Sequence, residues 1–117
     1  MLMTASQLDI VIEQGTTFSY VFQVLNKDLT TGYTWSAQGR TQHGAPSTVF
    51  ATGTNATIAA SKSGSHTHAT LTITYANTAQ LAAPSYGVYD IEYLENATAI
   101  KTRAFEGTFY ITPEATI

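Results

Sequence analysis

The sequence contains no cysteine. Disulfide frameworks, cysteine zinc sites and thiol nucleophiles are therefore excluded, and a small disulfide-stapled secreted domain is not expected. Charge is scarce as well: Asp, Glu, Lys and Arg make up 11% of 117 residues, against about a quarter in ordinary globular chains. The surface must then be built from Thr, Ser, Asn, Gln and Ala. So little charge protects weakly against association, which suits a protein that is covered by partners. Five basic residues against eight acidic ones leave a net charge of −3. The only close basic pair, Lys101 and Arg103, is followed by Glu106. Neutralising phosphates takes clustered Lys and Arg, so neither a nucleic-acid partner nor an anionic membrane is expected. The opening MLMTASQLDIVIEQG lacks a basic region and a long apolar run. It reads neither as a signal peptide nor as a membrane span, and the protein is expected to fold in the cytoplasm in which it is made.

What the chain does have is apolar and aromatic mass. Hydrophobic residues are 44%, with seven Tyr, five Phe and one Trp, enough for one core without staples and too aromatic for a disordered chain. The periodicity is two almost throughout. LDIVIEQ sets Leu8, Ile10 and Ile12 against Asp9, Val11 and Glu13, and TTFSYVFQVLN groups Phe18, Tyr20, Phe22 and Val24. TGYTWSAQGR aligns Tyr33, Trp35 and Ala37, and SHTHATLTITY puts Ala69, Leu71, Ile73 and Tyr75 opposite the histidines and threonines. Such alternation marks half-buried strands.

Residues 41–64 are less regular. HGAPS and SKSGS read as turns and STVFAT and TNATIAAS as short strands, with a register that small polar residues specify weakly. ANTAQLAAP is the one plausible helical turn, with Asn77 as cap, Gln80 three residues on and Pro84 as stop. In PSYGVYDIEYLE, Tyr89, Ile91 and Tyr93 share a face opposite Asp90 and Glu92. LENAT turns the chain into a last strand with Phe105, Phe109 and Ile111 in phase, and Gly107 among them marks a bulge or a close backbone approach. About seven short strands spaced by turns, with one helical turn before the penultimate strand, predict an all-β antiparallel sandwich. Residues 8–117 form its single domain and residues 1–7 an N-terminal arm.

No catalytic constellation emerges. His66 and His68 lie two apart on one strand face, but two imidazoles need a third ligand and an orienting carboxylate, and the neighbours are Ser and Thr. His43, in HGAP, reads as exposed. Asp90 and Glu92 have the spacing of an acid/base pair but read as solvated acids that Lys101 and Arg103 can meet across the sheet. No phosphate loop or nucleophile motif is present. Neither an enzyme, a cofactor nor a metal is expected. Trp35 and the tyrosines offer stacking surfaces for a sugar, so a carbohydrate-binding module is the alternative. Against it, Trp35 alternates in phase with Tyr33 and Ala37, as core residues do.

In immunoglobulin-like sandwiches a Tyr near the start of the penultimate strand, after a Gly turn, bonds back to upstream backbone. Gly87 and Tyr89 have that spacing, and Ile91 stands where such domains usually carry Cys. Tyr89 is thus read as structural. The chain also resembles a family of small structural proteins of tailed bacteriophages, found among tail, baseplate and tail-fibre genes. LDIVIEQGTTFSYVFQV is similar to its opening strand, glycine and aromatic strand; DLTTGYTWSAQGR to its turn and Arg-ending strand; and LTITYANTAQLAAPSYGVYDIEY with FEGTFYITPEAT to its strand, short helix, Gly-aromatic strand and closing strand. Thr31 lengthens the usual turn, and Pro84-Ser85-Tyr86 replaces a shorter link. The resemblance implies an immunoglobulin-like module of the virion, partnered by other virion proteins and by copies of itself. A capsid decoration protein is an alternative within the same class. The apolar Met1, Leu2 and Met3 are the expected partner contact.

Overall fold

The computed structural model describes residues 6–42 and 48–114. Met1, Leu2 and Met3, like His43 and its turn, lie outside the described residues. Nine strands and one helical turn follow in order among those described: β1 (Ser6–Gln7), β2 (Ile10–Glu13), β3 (Phe18–Val24), β4 (Tyr33–Arg40), β5 (Thr48–Ala51), β6 (Thr57–Ser63), β7 (His66–Ile73), α1 (Tyr75–Thr78), β8 (Ser85–Glu95) and β9 (Ile100–Thr112). The larger sheet runs β1-β9-β8-β4-β5, with β2 also on β9, and the smaller runs β3-β7-β6.

The two sheets enclose the core that the alternation foretells. On β7, Thr67, Ala69, Leu71 and Ile73 are buried while the residues between them are not. The larger sheet answers with Ile12, Ala37, Phe50, Tyr89, Ile91, Phe109 and Ile111. Phe22 of β3 closes the layer, with ring centroids 5.0 Å from Phe105 and 6.2 Å from Tyr89. Each such aliphatic or aromatic side chain contributes roughly 1.5–3 kcal/mol when fully withdrawn from water.

Several local expectations change. β1 and β2 pair with β9 in parallel, not antiparallel, so Ser6 and Gln7, read as part of an arm, are strand residues. The chain reading LDIVIEQ as one strand is interrupted at Leu8 and Asp9. α1 is a single turn capped by Thr74, not Asn77, with no side-chain cap bond. Tyr75, expected to extend the buried row of β7, is its first residue and stands 66% exposed. A backbone bond from the Thr78 N–H to the Thr74 carbonyl, 2.9 Å, closes the turn. The strand bulge lies at Ala104, because Ile91 pairs with Phe105 and Glu92 with Arg103.

A buried hydroxyl organises the β3–β4 connection. Thr67 is fully buried; its Oγ1 donates to the Lys27 carbonyl at 2.7 Å and accepts from the Leu29 N–H at 2.8 Å. Thr67→Val keeps the shape and strands that N–H, so we expect a loss of about 1–3 kcal/mol in urea denaturation. An unchanged midpoint would show that water replaces the hydroxyl there.

Candidate interaction surface

The core takes the odd-numbered residues of β8 up to Ile91, so Tyr86, Val88, Asp90 and Glu92 point from the opposite face. The register brings Tyr110, Thr108, Glu106 and Arg103 of β9 beside them, and Arg40, Gln38 and Ser36 of β4 beside Val88, Asp90 and Glu92. This outer face of the larger sheet has two zones.

One end is aromatic. Tyr86 and Tyr110 are cross-strand partners whose rings stack at 4.5 Å with 28° between their planes. Val11 of β2 is the next residue across from Tyr110. Tyr86 is 72% and Val11 56% exposed.

The middle is polar. Arg103 Nε lies 3.7 Å from Asp90 Oδ2, and its Nη1 lies 3.3 Å from Glu106 Oε1. Gln7 Nε2 donates to Glu106 Oε2 at 2.7 Å. Asp90, Arg103 and Glu106, with Gln38, Arg40 and Val88, line a depression of about 210 Å³. Arg103 thus meets Asp90 across the sheet, as expected, and reaches Glu106 as well, while Lys101 stands opposite Leu94. Half-exposed pairs of this sort contribute about 0–1 kcal/mol and confer register more than stability.

The histidines stand apart from one another in use. His66 Nδ1 accepts from the Asn26 N–H at 2.9 Å. Among the described residues no group of three or more His, Asp or Glu is placed to hold a metal ion.

Trp35 is partly buried against the core. Its Nε1–H donates to the Leu29 carbonyl at 2.9 Å, and its ring packs on Tyr93 at 5.1 Å. Both its polar handle and one side of its ring are engaged within the fold. We therefore expect tryptophan emission to stay unshifted in titrations with oligosaccharides. A saturable shift would revive the sugar reading.

Tyr89, Gly87 and Ile91 belong to the interior. Ile91 is fully buried between its partners Ala37 and Phe105. A Cβ on Gly87 would lie 2.3 Å from the Arg40 carbonyl oxygen and 2.4 Å from the Phe109 ring, so the strands meet there only because the side chain is missing. Tyr89 is 3% exposed and its hydroxyl donates to the Leu8 carbonyl at 2.5 Å. The bond back to upstream backbone is thus present, and its acceptor lies 81 residues earlier in the chain, at the break between β1 and β2. Burial first, then the nearby charge of Asp9 and then Tyr20, push the phenol above its ordinary range. Asp9 is itself held below the usual carboxylate range by the Thr108 hydroxyl and N–H, at 2.8 and 3.1 Å. Gly107 marks a close backbone approach, one of its two expected readings, but that the approaching segment is Leu8 was not read from the sequence. The available signal was Gly107, which pairs with Tyr89 and admits Leu8 to the sheet edge.

No known protein family matches the chain, and no curated protein does. Solved structures do share its architecture. One, from a photo-crosslinking study of multimeric cell-adhesive interactions of VGSC β subunits, superposes with a TM-score of 0.56 over 97% of both chains at 7% identity. The fold is an immunoglobulin-like β-sandwich, with the one short helical turn before β8.

Proposed function

We propose that this chain is a non-enzymatic assembly module of a tailed bacteriophage particle, present in several copies in the tail, baseplate or tail-fibre region. The observation that carries the interaction reading is the exposed aromatic end of the larger sheet, Tyr86 stacked on Tyr110 beside Val11. Apolar side chains grouped on a surface this poor in charge favour a face that is covered in use. The phage assignment is supported by the three sequence segments that resemble the virion family. The immunoglobulin-like fold is compatible with it, and the VGSC β subunits, one structure of which is similar, have multimeric cell-adhesive interactions. Met1, Leu2 and Met3 are a second proposed contact with virion partners.

The test is to tag the protein, purify intact particles and image the tag, with mass spectrometry for copy number. Discrete density at the tail or its tip is the expected result, and density over the capsid would select the decoration alternative. Tyr86→Ser with Tyr110→Ser should leave the melting temperature nearly unchanged and lower incorporation. Absence of the wild-type protein from purified particles would overturn the reading.

A further inference from the structure

A sheet edge is a row of backbone N–H and C=O groups that lack partners, and folded proteins usually blunt it. Three of the edges here are blunted. β5 is four residues long, and its register with β4 breaks between Gly39 and Arg40. β1 and β2 are two and four residues, separated at Leu8 and Asp9. β6 carries Lys62, whose ammonium lies 3.8 Å from Asp28.

β3 has no such device. It is seven residues, FSYVFQV, without charge, proline or glycine. All seven pair with β7 in unbroken register, with no bulge along the strand. That other side has no strand neighbour among the described residues. Val21 is 49% exposed, Tyr20 39%, and Leu25, just past the end, 61%.

We propose that β3 pairs with β3 of a second copy, antiparallel across a two-fold axis at Val21, so that the two smaller sheets become one continuous sheet. Backbone chemistry dictates that an edge takes up a strand. The sequence of the edge says which strand. With no charge it offers nothing for an oppositely charged segment to read, yet it is complementary to itself. With Val21 on the axis, Ser19 opposes Gln23, Tyr20 opposes Phe22 and Phe18 opposes Val24. Residues directly opposed across an antiparallel pair point to the same side, so polar meets polar outside and ring meets ring inside. A two-fold contact requires this kind of self-match.

The pairing does not depend on the phage reading, since it is measured on the purified full-length chain: a dimer never found in particles and a monomer found there are separable results. Sedimentation velocity over a concentration series should show a reversible dimer. Val21→Lys sets two like charges at the axis and should weaken it about tenfold or more, and Val21→Glu should do the same. An equimolar mixture of the two variants should restore dimerisation. Because the chain has no cysteine of its own, Val21→Cys should crosslink on oxidation, whereas Ser19→Cys, which opposes Gln23, should not. Circular dichroism of each variant checks that it folds; if a charged one does not, the cysteine pair decides alone. Wild-type protein that stays monomeric, dimers unaffected by both charged variants, or equal crosslinking from positions 19 and 21 would each overturn the proposal. So would β3 edge amides protected from hydrogen exchange in the monomer, because the chain's own residues would then occupy the edge.

Discussion

Tyr89→Ala is expected to destabilise the protein by on the order of 3 kcal/mol or more in chemical denaturation. The ring lies in the core against Phe22 at 6.2 Å, and its removal leaves a cavity between sheets that cannot close without moving β8. Tyr89→Phe isolates the hydroxyl and should cost about 1 kcal/mol, with the Leu8 carbonyl left short of a donor. The pH dependence has a definite sign. A phenol whose pKa is raised on folding contributes stability that is fully present below the unfolded value, about 10, and is lost as pH rises through the folded value. Wild-type stability should therefore fall as pH rises above about 10. Tyr89→Phe should flatten part of the decline, the rest belonging to Tyr33, whose phenol is also raised, by desolvation and by Glu95. A near-neutral alanine variant, or an alkaline limb unchanged in Tyr89→Phe, would remove Tyr89 from this role.

Gly107→Ala should be nearly as damaging. A Cβ there would fall 2.0 Å from the Leu8 carbonyl oxygen and 2.7 Å from its carbon. Both are backbone atoms, so no rotamer change relieves the overlap. The Leu8 N–H bond to the Glu106 carbonyl, 2.9 Å, has to stretch or break. Overpacking typically costs 1–3 kcal/mol, and we expect about 3 because the neighbour is rigid. Displacing Leu8 also withdraws the acceptor from Tyr89, so the double variant Tyr89→Phe with Gly107→Ala should lose less than the two single changes added together. Strict additivity would mean that the two residues reach Leu8 independently. A Gly107→Ala protein with wild-type stability would mean that β1 and β2 do not seat against β9 as described.

What was readable in the sequence was side-chain period. The alternation in HTHATLTI and in GVYDIEY follows from one buried face, so the core residues of β7 and β8 can be named from spacing alone. What was not readable was backbone against backbone. Nothing in LDIVIEQ says that its partner strand runs in the same direction, because parallel and antiparallel neighbours bury the same alternate residues. Tyr75 looked like the next step of the β7 pattern, yet α1 starts there, its turn closed by the backbone bond from Thr78 to Thr74, and a phase argument does not see where a strand stops. Asn77 and Gln80 fitted a capping box that the structure places inside and beyond the turn. The aromatic end of the outer face was hidden for a related reason: Tyr86 and Tyr110 are far apart in the chain and become neighbours only through the β8–β9 register.

That β2 and β9 lie side by side in parallel also sets a schedule for synthesis. A hydrogen bond such as Gln7 to Glu106 spans 99 residues, and contacts of such separation form late because loop closure must come first. The ribosome delivers β1 and β2 before the other strands and β9 after them, while β9 is the strand that both β8 and β2 need as neighbour. Until it emerges, Ile10 and Ile12 have no sheet to enter and the seam of the sandwich stays open. Closure of the sandwich thus waits for β9, and a ribosome stalled before it holds a nascent protein with its core unsealed, the form a chaperone would meet.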